Sequence, residues 1–156
     1  MSDVDEVFDR LTQANELMFH NGHVTDEEIR QLTDATGCTL PQDYLAFLKR
    51  FGYAVWEGHA IYGVYDFGND KIPASFDYSA TLATQDARKL CSKEPYPRMN
   101  DSLVLEMDGM GGYFILLSTA AGEDDAVLWV NYEDEWVVTD SWDSFTAFLD
   151  HQLAAV

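Results

Sequence analysis

Positively charged residues are scarce in this 156-residue sequence. Nine Lys and Arg residues stand against 28 Asp and Glu residues, which gives a formal net charge of −19. Proteins that bind nucleic acid do so largely through clustered Lys and Arg side chains, so the scarcity of both argues against direct binding to nucleic-acid phosphates. The chain is not an acidic disordered tail either, because 47% of its residues are hydrophobic and 13% are aromatic. Such a composition has enough apolar surface to form a core.

Long apolar runs and paired cysteines are also missing. The longest apolar runs have five residues, whereas a membrane-spanning helix needs about twenty. The first ten residues carry acids where a secretory signal needs positive charge. Cys38 and Cys91 form no Cys-x-x-Cys pair; one disulfide between them is possible, but isolated thiols are typical of a reducing compartment. We expect a cytoplasmic protein without membrane contacts.

Known catalytic and phosphate-binding motifs are absent as well. The sequence contains no Gly-x-Ser-x-Gly elbow, no His-Glu-x-x-His pair and no phosphate-binding loop. Asp124, Asp125, Glu133 and Glu135 are possible ligands of a divalent ion, but the Asp-x-Asp-x-Asp-Gly pattern of calcium loops is missing. We therefore predict a protein that is not an enzyme and that has no catalytic residues, no metal and no cofactor.

The first third of the sequence predicts three helices. Apolar residues recur at helical spacing from Val4 to Met18. Thr25 and Glu28 are spaced as a capping box at the start of a second helix, and Gly37 suits the left-handed residue after its end. A third helix is expected over residues 41–52, between a proline that suits a first helical turn and a closing glycine.

The remainder of the sequence predicts strands, one helix between them and a helix at the end. Short segments rich in aromatic and branched residues alternate with turns from about Val55 onward. A helix is expected over residues 81–90, and Asp140 or Ser141 is expected to cap a last helix that includes Trp142. Because short loops join successive strands, the order favours one α+β domain with a central, largely antiparallel sheet between N-terminal and C-terminal helices.

Three short blocks carry a resemblance to a known superfamily. They are Leu40-Pro41-x-Asp43-Tyr44-x-x-Phe47-Leu48, then Phe51-Gly52, and then Ile61-Tyr62-Gly63. In this order they resemble the opening of domains in the SUKH superfamily, which is named after fungal cell-wall synthesis regulators. The similarity extends from about Thr25 to Leu153. It implies a SUKH-like domain over residues 25–156, preceded by an N-terminal helical extension over residues 1–24.

The resemblance also implies a function. Most bacterial members of this superfamily are immunity proteins, each of which binds and silences a toxin, often a nuclease or a deaminase. Fungal members act as adaptors in cell-wall signalling. The resemblance therefore implies binding without catalysis and without a cofactor. We predict an immunity protein that forms a heterodimer with a cognate toxin, with an adaptor for an endogenous partner as the alternative.

The distribution of charge is consistent with a basic partner. Residues 99–156 contain 12 Asp or Glu residues and no Lys or Arg, and six of these acids fall in two predicted turns. Acidic turns attract a basic protein, and aromatic side chains in desolvated pockets hold tight interfaces together. The plainer reading is that the turns are solvated loops that keep the protein soluble. The candidate partner-binding residues are Trp56, Tyr62, Glu123, Asp124, Asp125, Glu133, Asp134, Glu135 and Trp136.

Overall fold

The computed structural model of the chain describes residues 3–19, 24–64, 78–91, 95–122 and 124–154. Within these residues, five α-helices and two antiparallel sheets form an α+β fold, which confirms the predicted class. The helices are Val4–Thr12 (α1), Asp26–Thr36 (α2), Gln42–Arg50 (α3), Ala80–Leu90 (α4) and Phe145–Ala154 (α5). The strands are Met18–Phe19 (β1), Ala54–Trp56 (β2), His59–Ile61 (β3), Ser102–Met107 (β4), Gly112–Leu117 (β5), Val127–Asn131 (β6) and Val137–Trp142 (β7).

The strands form two sheets where one was expected. The first sheet has the order β1-β2-β3, and the second is a meander with the order β4-β5-β6-β7. The amide of Tyr62, just after β3, donates to the carbonyl of Leu105 in β4 at 2.7 Å and so links the sheets. Helix α5 covers one face of the meander, where Phe148 packs on Phe114 with ring centroids 5.2 Å apart. Helix α4 lies along β4, whose Val104 amide donates to the Thr84 hydroxyl at 2.9 Å.

Helix α2 begins and ends as its sequence predicts. The Thr25 hydroxyl accepts from the Glu28 amide at 3.1 Å, and the Glu28 carboxylate accepts from the Thr25 amide at 3.0 Å. Gly37 ends the helix in the left-handed conformation with φ +72°. The predicted extent of α1 is wrong, because this helix stops at Thr12 and Met18 pairs with Val55 in the first sheet. Val55 lies far from Met18 in the sequence, so helical spacing alone does not reveal that the two residues pair.

The start of the last helix also differs from the prediction. Asp140 and Ser141 lie in β7 and cap nothing, and Trp142 pairs with Val127 of β6. Helix α5 begins at Phe145 instead, where the Ser144 hydroxyl accepts from the Ala147 amide at 3.0 Å. Several residues before α5 are good helix caps, and the strand pairing of β7 decides which of them is used.

The Leu-Pro-x-Asp-Tyr block ties the helices to the first sheet. The Tyr44 phenol in α3 donates to the Tyr62 carbonyl at 2.8 Å, and its ring packs edge-on against Phe145 of α5 at 5.0 Å. Burial raises the pKa of Tyr44 above its ordinary value. Gly63 lies so close to Gly52 that an added Cβ would overlap the Gly52 carbonyl oxygen. The blocks that carry the family resemblance are therefore packing contacts of the core.

Arg88 of α4 stabilises the interior through backbone carbonyls. Its guanidinium donates to Thr36 at 2.7 Å, to Ser102 at 3.1 Å and to Met99 at 3.1 Å. This one cation joins the end of α2 to the start of β4. Cys38 lies beside it and is a free thiol, as is Cys91, and burial raises the pKa of the Cys38 thiol.

Candidate protein-binding surface

The turns of the meander lie at two opposite ends of the sheet. Residues 108–111 join β4 to β5 and residues 132–136 join β6 to β7 at one end, which we call the hairpin end. These two turns touch, because the Tyr132 amide donates to the Gly111 carbonyl at 2.8 Å. The connection from β5 to β6 lies at the other end, which we call the loop end. Six residues of β5 separate them, a length of roughly 17 Å.

The predicted acidic residues consequently form two groups. Glu133, Asp134 and Glu135 are exposed at the hairpin end, and Asp124 and Asp125 are exposed at the loop end. Glu123 lies outside the described residues. Because a meander alternates the direction of its strands, consecutive turns fall at opposite ends. The structure therefore does not gather all of these carboxylates into one surface.

The predicted aromatic anchors are buried instead of exposed. Trp56, Tyr62 and Trp136 have relative exposures of 2%, 7% and 5%. Trp136 stacks on Tyr96 with centroids 5.0 Å apart and lies 5.7 Å from the ring of Tyr113. Side chains this deeply packed hold the core together, so as a correction we place these three in the core and build the candidate surface from the acidic residues.

The charges of the sheet ends are not neutralised within the described part of the chain. Four ion pairs between described residues join a cation to an acid of a helix: Arg10 with Asp150, Arg30 with Glu27, Lys49 with Asp26 and Arg50 with Asp9. Arg30 also lowers the pKa of Glu27 through their hydrogen bond. No described acid at either end of the meander has a Lys or Arg nitrogen within 4.0 Å. Four acids of the helices are thus paired with cations, whereas the described acids at the ends of the meander are not.

The loop end has a shallow acidic depression of about 250 Å³. Its lining includes Pro41, Asp43, Ser118, Asp124, Asp125, Asp143 and Phe145. Among the described residues, no three His, Cys, Asp or Glu side chains are placed to hold a metal ion. The depression therefore offers a charged surface.

Next to the hairpin end, Trp129 in the middle of β6 has fixed contacts that sequence reasoning did not single out. The Asp108 carboxylate accepts from the amides of Met110 at 2.7 Å and Gly112 at 2.8 Å, and from the indole N–H of Trp129 at 3.2 Å. Trp129 stacks on Phe114 at 5.2 Å and remains partly exposed. An added Cβ at Gly112 would collide with the Asp108 carboxylate and lie 2.7 Å from the Trp129 nitrogen. Glycine at this position therefore permits the Asp108–Trp129 contact.

A family model for the SMI1 / KNR4 family (SUKH-1) matches residues 23–151. The chain belongs to that family. SUKH-1 domains are generally binding domains without catalytic activity. The search of curated proteins gave no significant match. Among the described residues, this SUKH-1 chain has no helix with both the length and the apolar character required to cross a bilayer.

Proposed function

We propose that this SUKH-1 protein is an immunity protein that binds and neutralises a cognate basic toxin of the nuclease or deaminase type. The observation that carries the proposal is the presence of exposed carboxylates without ion-pair partners at both ends of the meander. Family membership supports a protein partner, and the uncompensated carboxylates favour a cationic one. The predicted boundary between a helical extension and a SUKH-like domain after residue 24 remains a prediction.

The inhibition requires no chemistry on the toxin. A nuclease carries positive charge where it grips phosphate, so a protein with exposed carboxylates at Glu133, Asp134 and Glu135 competes for that cleft. Attraction between opposite charges raises association rates to about 10⁸–10⁹ M⁻¹s⁻¹ at low salt, against about 10⁵–10⁶ M⁻¹s⁻¹ for neutral pairs. Fast capture is valuable to an antidote, because free toxin acts until it is bound. The proposal includes a cytoplasmic location, where such toxins meet their substrates.

The alternative is an adaptor that binds an endogenous partner. The family supports this role as well, and the same acidic surface suits any basic protein. The gene neighbourhood separates the two: an adjacent toxin gene favours immunity, and an isolated position among housekeeping genes favours regulation.

Co-expression with the toxin encoded by the adjacent gene tests the proposal directly. We expect the full chain to restore growth of toxin-expressing cells and to co-elute with the toxin in equimolar amounts on gel filtration. Undiminished toxicity, together with separate elution of the two proteins, would rule out the immunity function.

A further inference from the structure

Trp129, in the middle of β6, is held in a fixed orientation by contacts with β5 and with the hairpin-end turn. One face of its indole packs on Phe114, with an angle of 18° between the ring planes, and its N–H is bound by Asp108. The Asp108 carboxylate is itself fixed by two backbone amides. A ring fixed in this way loses little side-chain entropy when a partner binds it, and Trp is enriched among residues that dominate protein interfaces.

Asp140 places a second carboxylate beside this ring. It is the cross-strand partner of Trp129 between β6 and β7, and directly paired residues point to the same face with Cβ atoms about 5 Å apart. Asp140 is exposed, and its carboxylate accepts from the Ser141 amide at 2.8 Å. Neither Asp108 nor Asp140 has an ion-pair partner in the described part of the chain. A partly exposed indole thus lies next to two uncompensated negative charges.

The chemistry of this arrangement matches an arginine side chain. A guanidinium is planar, stacks on an indole face and donates to carboxylates through several N–H groups. A lysine ammonium brings the same charge but no planar group, so the fit is poorer. A second copy of this chain is disfavoured as the occupant, because each copy carries a formal charge of −19 and acids on the two copies would face each other.

We propose that Trp129, Asp108 and Asp140 form a receptor for an arginine side chain of the partner protein. The identification of that partner as a toxin rests on the proposed function, whereas the receptor itself rests on the contacts of Trp129. The receptor places the centre of the interface on the middle of β6 and β7, next to the hairpin-end turn that contains Asp108.

A titration followed by nuclear magnetic resonance tests the receptor without the toxin. The probe is N-acetyl-arginine amide, and the signal is the indole ¹⁵N–H resonance of Trp129, which is assigned by its loss in Trp129→Phe. N-acetyl-lysine amide matches the charge of the probe, and N-acetyl-citrulline amide matches its shape without the charge. We expect the arginine compound to shift the Trp129 resonance most and the citrulline compound least. Equal shifts from all three compounds, or no shift from any, would overturn the proposal.

Two matched variants show whether Asp140 contributes. We expect Asp140→Asn to weaken the apparent affinity for the arginine compound about fivefold. Asp124→Asn removes the same charge at the loop end and is expected to change the affinity less than twofold. Equal effects from the two variants would mean that only net charge matters, and that result would overturn the receptor. Thermal melting checks that both variants are folded.

Toxin binding by the same variants distinguishes failure of the immunity function from failure of the arginine receptor. We expect Asp140→Asn to weaken toxin binding about tenfold and Asp124→Asn to weaken it far less. If the wild-type chain binds no toxin, the immunity function is ruled out. The titration still tests whether Trp129, Asp108 and Asp140 bind an arginine side chain. If toxin binds tightly and both variants bind equally well, the receptor fails and the immunity function stands.

Discussion

Asp43 of α3 caps helix α5 through Thr146, which lies 103 residues further along the chain. Its Oδ2 atom accepts from the Thr146 amide at 2.9 Å and from the Thr146 hydroxyl at 2.8 Å. Its Oδ1 atom accepts from the amide of its own neighbour, Tyr44, at 2.9 Å. The aspartate of the Leu-Pro-x-Asp-Tyr block is therefore a structural residue, and it fixes the first turn of the helix that covers the meander.

Replacement of Asp43 should destabilise the fold. Asp43→Ala removes an acceptor of hydrogen bonds from a part-buried helix start, and we expect the free energy of unfolding to fall by about 2 kcal/mol. Asp43→Asn keeps an acceptor oxygen and should cost about half as much. Urea denaturation measures both, with Gln42→Ala, an exposed neighbour, as the control. Equal stabilities of Asp43→Ala and Gln42→Ala would contradict the capping role.

Glycine substitutions should separate steric overlap from backbone strain. Gly63→Ala places a Cβ onto the Gly52 carbonyl and against Leu48, and we expect a loss of about 3 kcal/mol. Gly58→Ala meets no atom within 4 Å but has φ +80°, so only strain of about 1 kcal/mol is expected. Chemical denaturation of both variants gives the ranking. A larger loss of unfolding free energy for Gly58→Ala would contradict the close contact between Gly63 and the Gly52 carbonyl.

Tyr44 should make the fold sensitive to alkaline pH. Its pKa is raised in the folded state, so its contribution is complete below the unfolded pKa of about 10 and declines as the pH rises above that value. Tyr44→Phe removes the hydrogen bond to Tyr62 and should lower stability by about 1 kcal/mol at pH 7. It should also reduce the loss of stability between pH 9 and 11. Urea denaturation across this range tests the prediction, which parallel pH profiles for the two proteins would refute.

Reversal of charge at the hairpin end should slow association with the toxin. We expect Glu133→Lys with Glu135→Lys to reduce the association rate about tenfold at low salt and to flatten its dependence on salt. Asp124→Lys with Asp125→Lys is the matched double reversal at the loop end and should have the smaller effect. Stopped-flow kinetics at several salt concentrations measures both. Unchanged rates for the first pair would remove these turns from the interface.

Local signals predicted the parts of the fold that depend on local contacts. The capping box of α2 and the left-handed Gly37 involve residues within a few positions of one another, and both are present. Met18 and Trp142 were misplaced in helices because each is held in a strand by a distant partner, Val55 or Val127. Helical spacing gives no information about such partners, since tertiary pairing overrides a local pattern.

The candidate surface was only partly predictable for the same reason. The described turn acids are exposed, as charged residues in turns usually are, but the strand order decides which of them are neighbours. In a strand that is buried on both faces, apolar and polar residues do not alternate. The sequence of such a strand therefore does not show which aromatic side chains are exposed. Trp129 and Asp108 lie 21 residues apart and meet only through the register of the meander, so the sequence offered no direct sign of their contact.

The ion pairs of the described residues are unevenly distributed over the fold. Cations stand beside acids on the helices, whereas the described ends of the meander have none within ion-pair distance. An approaching cationic protein therefore meets carboxylates at the ends of the meander that no Lys or Arg of the described residues neutralises by direct contact. This arrangement favours first encounters through these ends over encounters through the paired acids of the helices.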